Sequence, residues 1–323
     1  MEKYRIDGQV KLPFFLTPDK HYVGVAWYQK KVTVPDSWKG ERIVLFLERP
    51  HIETTVWINH REVGMRNSLC VPHVYDLTSY VTPGKSCLVT IRVDNRIKEI
   101  NVGPDSHSIT DQTQGNWNGI VGKIELQSTP EVFFEDIQVY PDLAGKKALV
   151  RMNVRASSSA KGEIALSARS FNTNVNHEIA PVYQTVTVRK GDNPLEMELP
   201  MGQNFLMWDE FSPALYRLTA TLKNGKQIET KQVQFGMREF TINGKWFYVN
   251  GRKTMLRGTV ENCDFPLTGY APMDVASWER VFRICRSYGL NHMRFHSFCP
   301  PEAAFIAADL VGFYLQPEGP SWP

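Results

Sequence analysis

The chain has 323 residues, which is long enough for two or three domains with hydrophobic cores of their own. Its apolar content of 42% and its charged content of 22% are those of an ordinary water-soluble globular protein. A formal net charge of only +3, spread evenly along the chain, argues against nucleic acid or an anionic membrane surface as a partner.

No apolar run is long enough to span a membrane, and the N-terminal residues MEKYRIDGQV lack the apolar core of a signal peptide. We therefore expect a soluble protein with no membrane partner. The compartment stays open between the cytoplasm and, if a signal peptide has been removed, the periplasm or the exterior. The sequence also leaves homo-oligomerisation open.

The five cysteines are an odd number and show no metal-ligand spacing, so neither a disulfide framework nor a zinc site is expected. No phosphate loop or nucleotide-binding fingerprint is present, and we expect no cofactor. A structural or site divalent cation could not be read from the spacing. The cysteines are Cys70, Cys87, Cys263, Cys285 and Cys299.

Residues 1–129 contain short runs of alternating or β-branched character separated by turns, with no helical period between them. This pattern predicts an antiparallel β-sandwich of the jelly-roll kind. The predicted strands are Val23–Val34, Ile43–Glu48, Thr54–Asn59 and Leu88–Val93.

A long polar loop is predicted between Asp94 and Gly122, and loops of this length in compact domains tend to be functional. It carries Asn116, Trp117 and Asn118.

Residues 130–236 read as a second all-β unit, for which the strand count and length predict an immunoglobulin-like sandwich. It lacks the Cys-Trp-Cys signature of true immunoglobulin domains. Its predicted strands are Phe133–Tyr140, Ala148–Ala156, Gly162–Ala168, Tyr183–Val188 and Tyr216–Leu222.

Residues 237–323 change to a strand–helix alternation, which predicts a parallel sheet. Strands are predicted at Thr254–Thr259, Leu290–Phe295 and Phe313–Gln316. Asp274 is the expected N-cap of the first helix and Gly289 its stop. Pro300-Pro301 should open the second helix, which Gly312 should end.

Polar side chains follow each of these three strands, at the edge where parallel α/β folds place their chemistry. Glu261 and Asn262 follow the first strand, Arg294 and His296 close the second, and Glu318 follows the third. We predict that they line one substrate site.

Several phrases make the chain resemble the N-terminal part of glycoside hydrolase family 2, the group of β-galactosidases, β-glucuronidases and β-mannosidases. They are VGVAWYQKKVTVP and VWINHREVG in the first unit, FGMREFTINGKWFYVNGRKTMLRGTV entering the third, and NHMRFHSFCPP at its second strand. The resemblance implies a sugar-binding sandwich, an immunoglobulin-like sandwich and the first three units of a (β/α)8 barrel, with a carbohydrate substrate. It also implies that Trp117 could stack on a sugar ring, with packing between domains as the alternative, and that Asn118 could bind a hydroxyl group. For Arg257, within the first predicted strand, it implies a place in the floor of the active site; the alternative is a structural arginine paired with a carboxylate.

The resemblance also implies a retaining mechanism with two glutamates, whose carboxyl groups lie roughly 5–5.5 Å apart. In the family, the acid/base follows an Asn after the fourth barrel strand and the nucleophile follows the seventh. This sequence contains no Asn-Glu pair and reads only as far as a third strand. We therefore expect no catalytic residue in these 323 residues, and expect them to be inactive alone.

The expected whole protein is an exo-β-glycosidase, with β-galactosides as the expected substrates. Two alternatives from other functional classes are a non-catalytic carbohydrate-binding module and a structural β-sandwich protein.

Overall fold

The computed structural model describes residues 22–96, 98, 117–265 and 268–319, together with the backbone of two short strands. These two strands, Arg5–Ile6 (β1) and Gln9–Val10 (β2), pair with each other antiparallel. Asn116 lies outside the described residues, as do most of the other residues of the predicted polar loop.

The first large unit is a sandwich of two antiparallel sheets, with strand orders β3-β8-β5-β6 and β7-β4-β9. Alternate residues of each strand point between the sheets, where Leu45, Leu47, Val56 and Ile91 form part of the core. The strands are Val25–Thr33 (β3), Arg42–His51 (β4), Glu53–Ile58 (β5), Arg61–Asn67 (β6), His73–Asp76 (β7), Ser86–Asp94 (β8) and Gly119–Thr129 (β9); a 3₁₀ turn spans Asp36–Trp38.

The second unit is also an antiparallel sandwich, with orders β10-β11-β14 and β13-β12-β15-β16. Its core includes Val150, Ile164, Leu166 and Leu218, all fully buried. The strands are Val132–Asp142 (β10), Lys147–Ala156 (β11), Ala160–Phe171 (β12), Glu178–Val188 (β13), Gly191–Pro200 (β14), Leu215–Asn224 (β15) and Gln227–Phe235 (β16). The prediction of two successive β-sandwich units is confirmed.

The third segment begins with a small antiparallel sheet, β17-β18-β19, and continues into the parallel sheet β20-β21-β22. The strands are Phe240–Asn243 (β17), Trp246–Val249 (β18), Arg252–Thr254 (β19), Gly258–Glu261 (β20), His292–Phe295 (β21) and Tyr314–Gln316 (β22). The helices are Val275–Ser287 (α1) and Glu302–Val311 (α2).

Both helices begin and end where the sequence predicts. The Asp274 carboxylate accepts the Ser277 N–H at 2.8 Å, as an N-cap does. Gly312 follows α2 in the left-handed region, with φ of 76°. The apolar face of α1 buries Trp278 and Phe282, and Phe282 stacks on Phe313 at 4.9 Å between ring centroids.

The single strand predicted over residues 254–259 is wrong, because residues 255–257 belong to neither sheet. Instead, the side chain of Asn291 hydrogen-bonds the backbone of Met255 and of Arg257. Its Oδ1 accepts the Arg257 N–H at 2.8 Å, and its Nδ2 donates to the Met255 carbonyl at 3.0 Å. The chain therefore leaves one sheet at Thr254 and enters the other at Gly258.

Asn291 also links the parallel sheet to the second sandwich. Its Nδ2 donates to Glu210 Oε2 at 2.7 Å, and both residues are buried. Arg286 of α1 donates to the Glu210 carbonyl at 2.6 Å and to the carbonyls of Val311 and Gly312. We call this group of contacts the Glu210 joint. It gives the carboxylate of Glu210 a structural role, which its position between β14 and β15 of the second sandwich also favours.

We expect Asn291→Ala to lower the free energy of unfolding by about 3 kcal/mol, because it leaves a buried carboxylate and two backbone groups without their partner. Urea unfolding of the 323-residue chain measures this. Asn174→Ala, at an exposed position, is the matched control. Equal stability of the two variants would contradict a structural role for the joint.

A second prediction concerns Glu229 in β16, whose Oε2 accepts the Phe134 N–H at 2.8 Å next to a bulge in β10. Burial raises the pKa of Glu229 to about 7. Because the folded state holds this proton more tightly than the unfolded chain, the stability from the protonated form is lost as pH rises from about 4.5 through 7.

We therefore expect Glu229→Gln, which keeps an acceptor for Phe134, to lose less stability than the wild type between pH 5 and pH 8. The difference between the two pH–stability curves isolates Glu229 from other titrating groups. An exposed variant of the same sandwich, Glu163→Gln, should follow the wild-type curve. Parallel curves for all three proteins would refute the assignment.

Candidate carbohydrate site

The three parallel strands bring four of the predicted site residues to one edge of the sheet. Glu261 ends β20, Arg294 and His296 lie at the end of β21, and Glu318 follows β22. The backbone ties these ends together, since His296 N–H donates to the Glu261 carbonyl at 2.9 Å and Glu318 N–H to the Phe298 carbonyl at 3.2 Å. We call these four residues the carboxyl-edge cluster.

Arg294 and Glu318 form the ion pair at the centre of the cluster. Arg294 Nε donates to Glu318 Oε1 at 2.5 Å, and the Ser297 N–H donates to Glu318 Oε2 at 2.8 Å. The bond from Arg294, followed by that from Ser297, holds the pKa of Glu318 below its usual value. Both side chains stay accessible to solvent, with exposures of 39% and 23%. The cluster thus presents a fixed anion beside a fixed cation.

Glu261 faces a drier environment than Glu318. Burial raises its pKa, and its Oε1 accepts the Cys263 N–H at 2.9 Å. Asp264 lies close enough for the charge of Glu261 to act on it. Burial first, and then that charge, raise the pKa of Asp264 to about 7. Asp264 Oδ1 is buried and has no hydrogen-bond partner within the part of the chain that the structure describes.

Asp264 is a functional candidate that the sequence analysis did not select. The sequence did contain a signal for Asp264, since this acidic residue stands three positions after Glu261 in the same polar loop. Its altered pKa came from burial, which the sequence does not show. Asn262, which was selected, is exposed beside the cluster.

Two residues with left-handed backbone conformations follow the first two strands. Cys263 has φ of 61° and Ser297 has φ of 52°, a region that costs a non-glycine residue about 1–2 kcal/mol. Each offers its N–H to a carboxylate of the cluster, Cys263 to Glu261 and Ser297 to Glu318. Strained residues held in this way concentrate at functional sites.

The first sandwich contacts this edge through Arg49, which the sequence analysis also missed. Arg49 is 4% exposed, and its Nη2 donates to the Cys299 carbonyl at 2.6 Å. Its guanidinium lies over the Phe298 ring, 4.8 Å from the centroid. Arg49 is 250 positions from Cys299 and lies within a strand of the sandwich, so no sequence spacing points to this contact.

Trp117 and Asn118 pack within the first sandwich. The Trp117 ring stacks on His51 at 4.1 Å between centroids, and its carbonyl accepts from Asn95. Asn118 Nδ2 donates to the Gly24 carbonyl at 2.8 Å. These contacts favour a packing role for Trp117, within one sandwich and not between domains. They also engage the side-chain amide of Asn118, for which a sugar hydroxyl group was the expected partner.

Arg257 lies at the other end of the sheet from the cluster. It precedes β20, and its Nε donates to the Gly289 carbonyl at 2.8 Å. Its Nη2 is 3.5 Å from Glu210 Oε2. Of the two interpretations that the sequence left open, these contacts support the structural arginine, and we leave Arg257 out of the candidate site.

A cavity of about 460 Å³ also lies beside the sheet, lined by His292, the first residue of β21, and by Tyr314–Gln316 of β22. Its lining is largely apolar and includes Trp208, Phe240, Phe247 and Leu256. None of the four residues of the carboxyl-edge cluster lines it, and enzymes with parallel α/β folds place their chemistry at the carboxyl ends of the strands. We therefore assign the candidate site to the carboxyl-edge cluster and not to this cavity.

Within the described residues, no group of three or more histidine, cysteine or acidic side chains is arranged to hold a metal ion. None of the helices described in the structure is both long and apolar enough to cross a membrane.

Two β-sandwiches followed by a parallel β/α segment define a modular protein whose polar cluster lies at the carboxyl ends of the strands. Residues 4–130 match the model of the glycosyl hydrolases family 2 sugar binding domain, and residues 132–238 match that of glycosyl hydrolases family 2. The chain belongs to glycosyl hydrolase family 2.

Named relatives agree with this assignment. A β-glucuronidase of Paenibacillus borealis is 23% identical over 94% of this chain, and a β-galactosidase of Thermoanaerobacter pseudethanolicus is 24% identical over 96%. The chain spans 51% and 41% of their lengths. A crystal structure of a Bacteroides uniformis β-glucuronidase shares the fold with a TM-score of 0.78 and 21% identity, over 95% of this chain and 37% of that one.

We expect Glu318→Ala to release the turn at Ser297, because the variant removes the acceptor of the Ser297 N–H together with the partner of Arg294. Hydrogen exchange should then be faster at the Ser297 amide and unchanged in the two sandwiches. Glu163→Ala, at an exposed position of the second sandwich, is the control. Unchanged exchange at Ser297 would show that Glu318 does not hold the cluster.

Proposed function

We propose that this chain supplies part of the substrate site of a retaining exo-β-glycosidase that removes terminal β-linked sugars from oligo- or polysaccharides. The observation that carries the proposal is the convergence of Glu261, Arg294, His296 and Glu318 at the carboxyl ends of three parallel strands. In (β/α)8 barrels this end of the strands forms the active site.

On this proposal, β20, β21 and β22 are the first three strands of a (β/α)8 barrel that begins near residue 237. Residues 1–129 form its jelly-roll sugar-binding sandwich, and residues 130–236 an immunoglobulin-like sandwich. The parallel pairing of the three strands, with α1 and α2 in the connections, supports the barrel.

The charges of the cluster suit binding of sugar hydroxyl groups. Glu318 is held ionised and accepts hydrogen bonds, Arg294 donates them, and His296 can do either. A carboxylate with a lowered pKa is a poor general acid near neutral pH. We therefore assign Glu318 to substrate binding and to holding Arg294. The acid/base and nucleophile of the retaining mechanism are proposed to come from later barrel strands.

The proposed substrate class includes β-galactosides, the expectation from the sequence. The named relatives include both β-galactosidases and β-glucuronidases, so the two sugars must be compared directly. The cluster orients a pyranose ring by its hydroxyl groups. Discrimination between these two sugars depends on groups that contact position 4, where the hydroxyl groups have opposite configurations, and position 6, where only the glucuronide carries a carboxylate.

The test compares the 323-residue chain with the protein encoded by the complete gene. Both are assayed with chromogenic β-galactosides, β-glucuronides and β-mannosides, and NMR follows the configuration of the first product. We expect hydrolysis with retention from the complete protein and none from the chain. Turnover by the chain above that of its Glu318→Gln variant would move Glu318 into a catalytic role.

In the complete protein, His296→Ala should lower kcat/KM at least tenfold, the loss that follows when one hydrogen bond of about 1.4 kcal/mol to the transition state is removed. His60→Ala, in an exposed turn of the first sandwich, is the matched control. A complete protein that binds sugars but hydrolyses none of these substrates would instead favour the carbohydrate-binding module.

A further inference from the structure

Two tryptophans lie side by side on the surface of the first sandwich. Trp27 of β3 is 60% exposed, and Trp57 of β5 is partly exposed. Their ring centroids are 5.5 Å apart, and their planes are tilted by 33°. A contiguous apolar patch on a protein surface is a candidate binding site, and these two adjoining rings form such a patch.

The strand register places both rings on the outer face of the four-stranded sheet. Trp27 is opposite Arg92 on β8, and Arg92 is opposite Thr55 on β5. Two residues further along β3, Gln29 is opposite Thr90 on β8, and Thr90 is opposite Trp57 on β5. Because side chains alternate between faces, the intervening Ile91 points into the core, while Thr90 and Arg92 point outwards on the same face as the two rings. Trp27 and Trp57 thus form a platform across β8.

Fixed polar groups border the platform. Gln29 Nε2 donates to Thr90 Oγ1 at 3.1 Å, which holds the amide beside the rings. The Arg92 guanidinium is held by Glu53 at 2.8 Å and by Asp94 at 2.9 Å. An apolar surface with oriented donors and acceptors at its rim is the arrangement of a specific ligand site.

We propose that the Trp27–Trp57 platform binds β-linked oligosaccharides by stacking, as a carbohydrate site separate from the carboxyl-edge cluster. A pyranose with equatorial hydroxyl groups has a flat face of axial C–H bonds, which packs on the electron-rich face of an indole ring. Its hydroxyl groups point outwards at the rim of the ring, where Gln29 and Arg92 can bond them. Two tilted indoles can engage successive sugars of one chain.

A second copy of the protein fits this surface less well than a sugar chain does. Stable protein interfaces bury about 800 Å² on each partner, so an interface centred on two indoles would also cover the charged residues around them. Lys31 and Glu62 are exposed on the strands beside the platform. Burying such charges without partners is costly, whereas a hydrated sugar chain leaves them in water.

The experiment measures binding of cellohexaose and of a β-1,4-linked galactohexaose by isothermal titration calorimetry, with α-linked maltohexaose as the comparison ligand. We expect the 323-residue chain to bind at least one β-linked probe and to bind maltohexaose at least tenfold more weakly. Trp27→Ala and Trp57→Ala should each weaken binding at least tenfold. Trp27→Phe, which keeps an aromatic face, should stay within a few-fold of the wild type.

Tyr183→Ala removes an exposed ring from the second sandwich and is the matched control for loss of aromatic surface. Because Trp27→Ala and Trp57→Ala leave the carboxyl-edge cluster intact, any sugar binding at that cluster persists in both variants, which separates the platform from the proposed active site. Circular dichroism of each variant confirms its fold. The proposal is overturned if neither β-linked probe binds, if the tryptophan variants bind as the wild type does, or if sedimentation velocity shows a wild-type dimer that Trp27→Ala dissociates.

Discussion

The buried hydrogen bond between Asn291 and Glu210 positions the rest of the parallel segment. One side-chain amide joins the second sandwich to the start of β21 and also satisfies the backbone at Met255 and Arg257. β20 therefore enters the sheet at Gly258, in register with His292 of β21. That register brings Glu261 level with Phe295 and places His296 within reach of the Glu261 carbonyl. The carboxyl-edge cluster depends on a contact at the opposite end of its strands.

The two electrostatic environments of the cluster follow from how its carboxylates are held. Glu318 sits at an accessible edge with Arg294 and an amide as donors, so its charge is stabilised. Glu261 and Asp264 are more buried, so their pKa values rise, and the charge of Glu261 raises the pKa of Asp264 further. Carboxyl groups whose pKa values differ in this way can form hydrogen bonds with different parts of one ligand.

The sequence predicted the sandwiches and both helices because their signals are local: alternation in strands, the Asp274 cap and the Gly312 stop. It also predicted which residues follow the parallel strands. Prediction from the sequence failed where contacts between distant residues determine the structure. Residues 255–257 look like strand, but Asn291, more than thirty positions away, takes their hydrogen bonds. Arg49 and the pairing of Trp27 with Trp57 also arise only from the fold, since strand order sets both.

The central claim is that the carboxyl-edge cluster contacts sugar. The most direct measurement is a crystal structure of the protein encoded by the complete gene with a non-hydrolysable β-galactoside or β-glucuronide bound. We predict that Glu318, Arg294 or His296 will lie within hydrogen-bond distance of the ring hydroxyl groups. A sugar seated at the carboxyl ends of the strands with all three side chains turned away, or seated at another surface while this edge stays empty, would contradict the account.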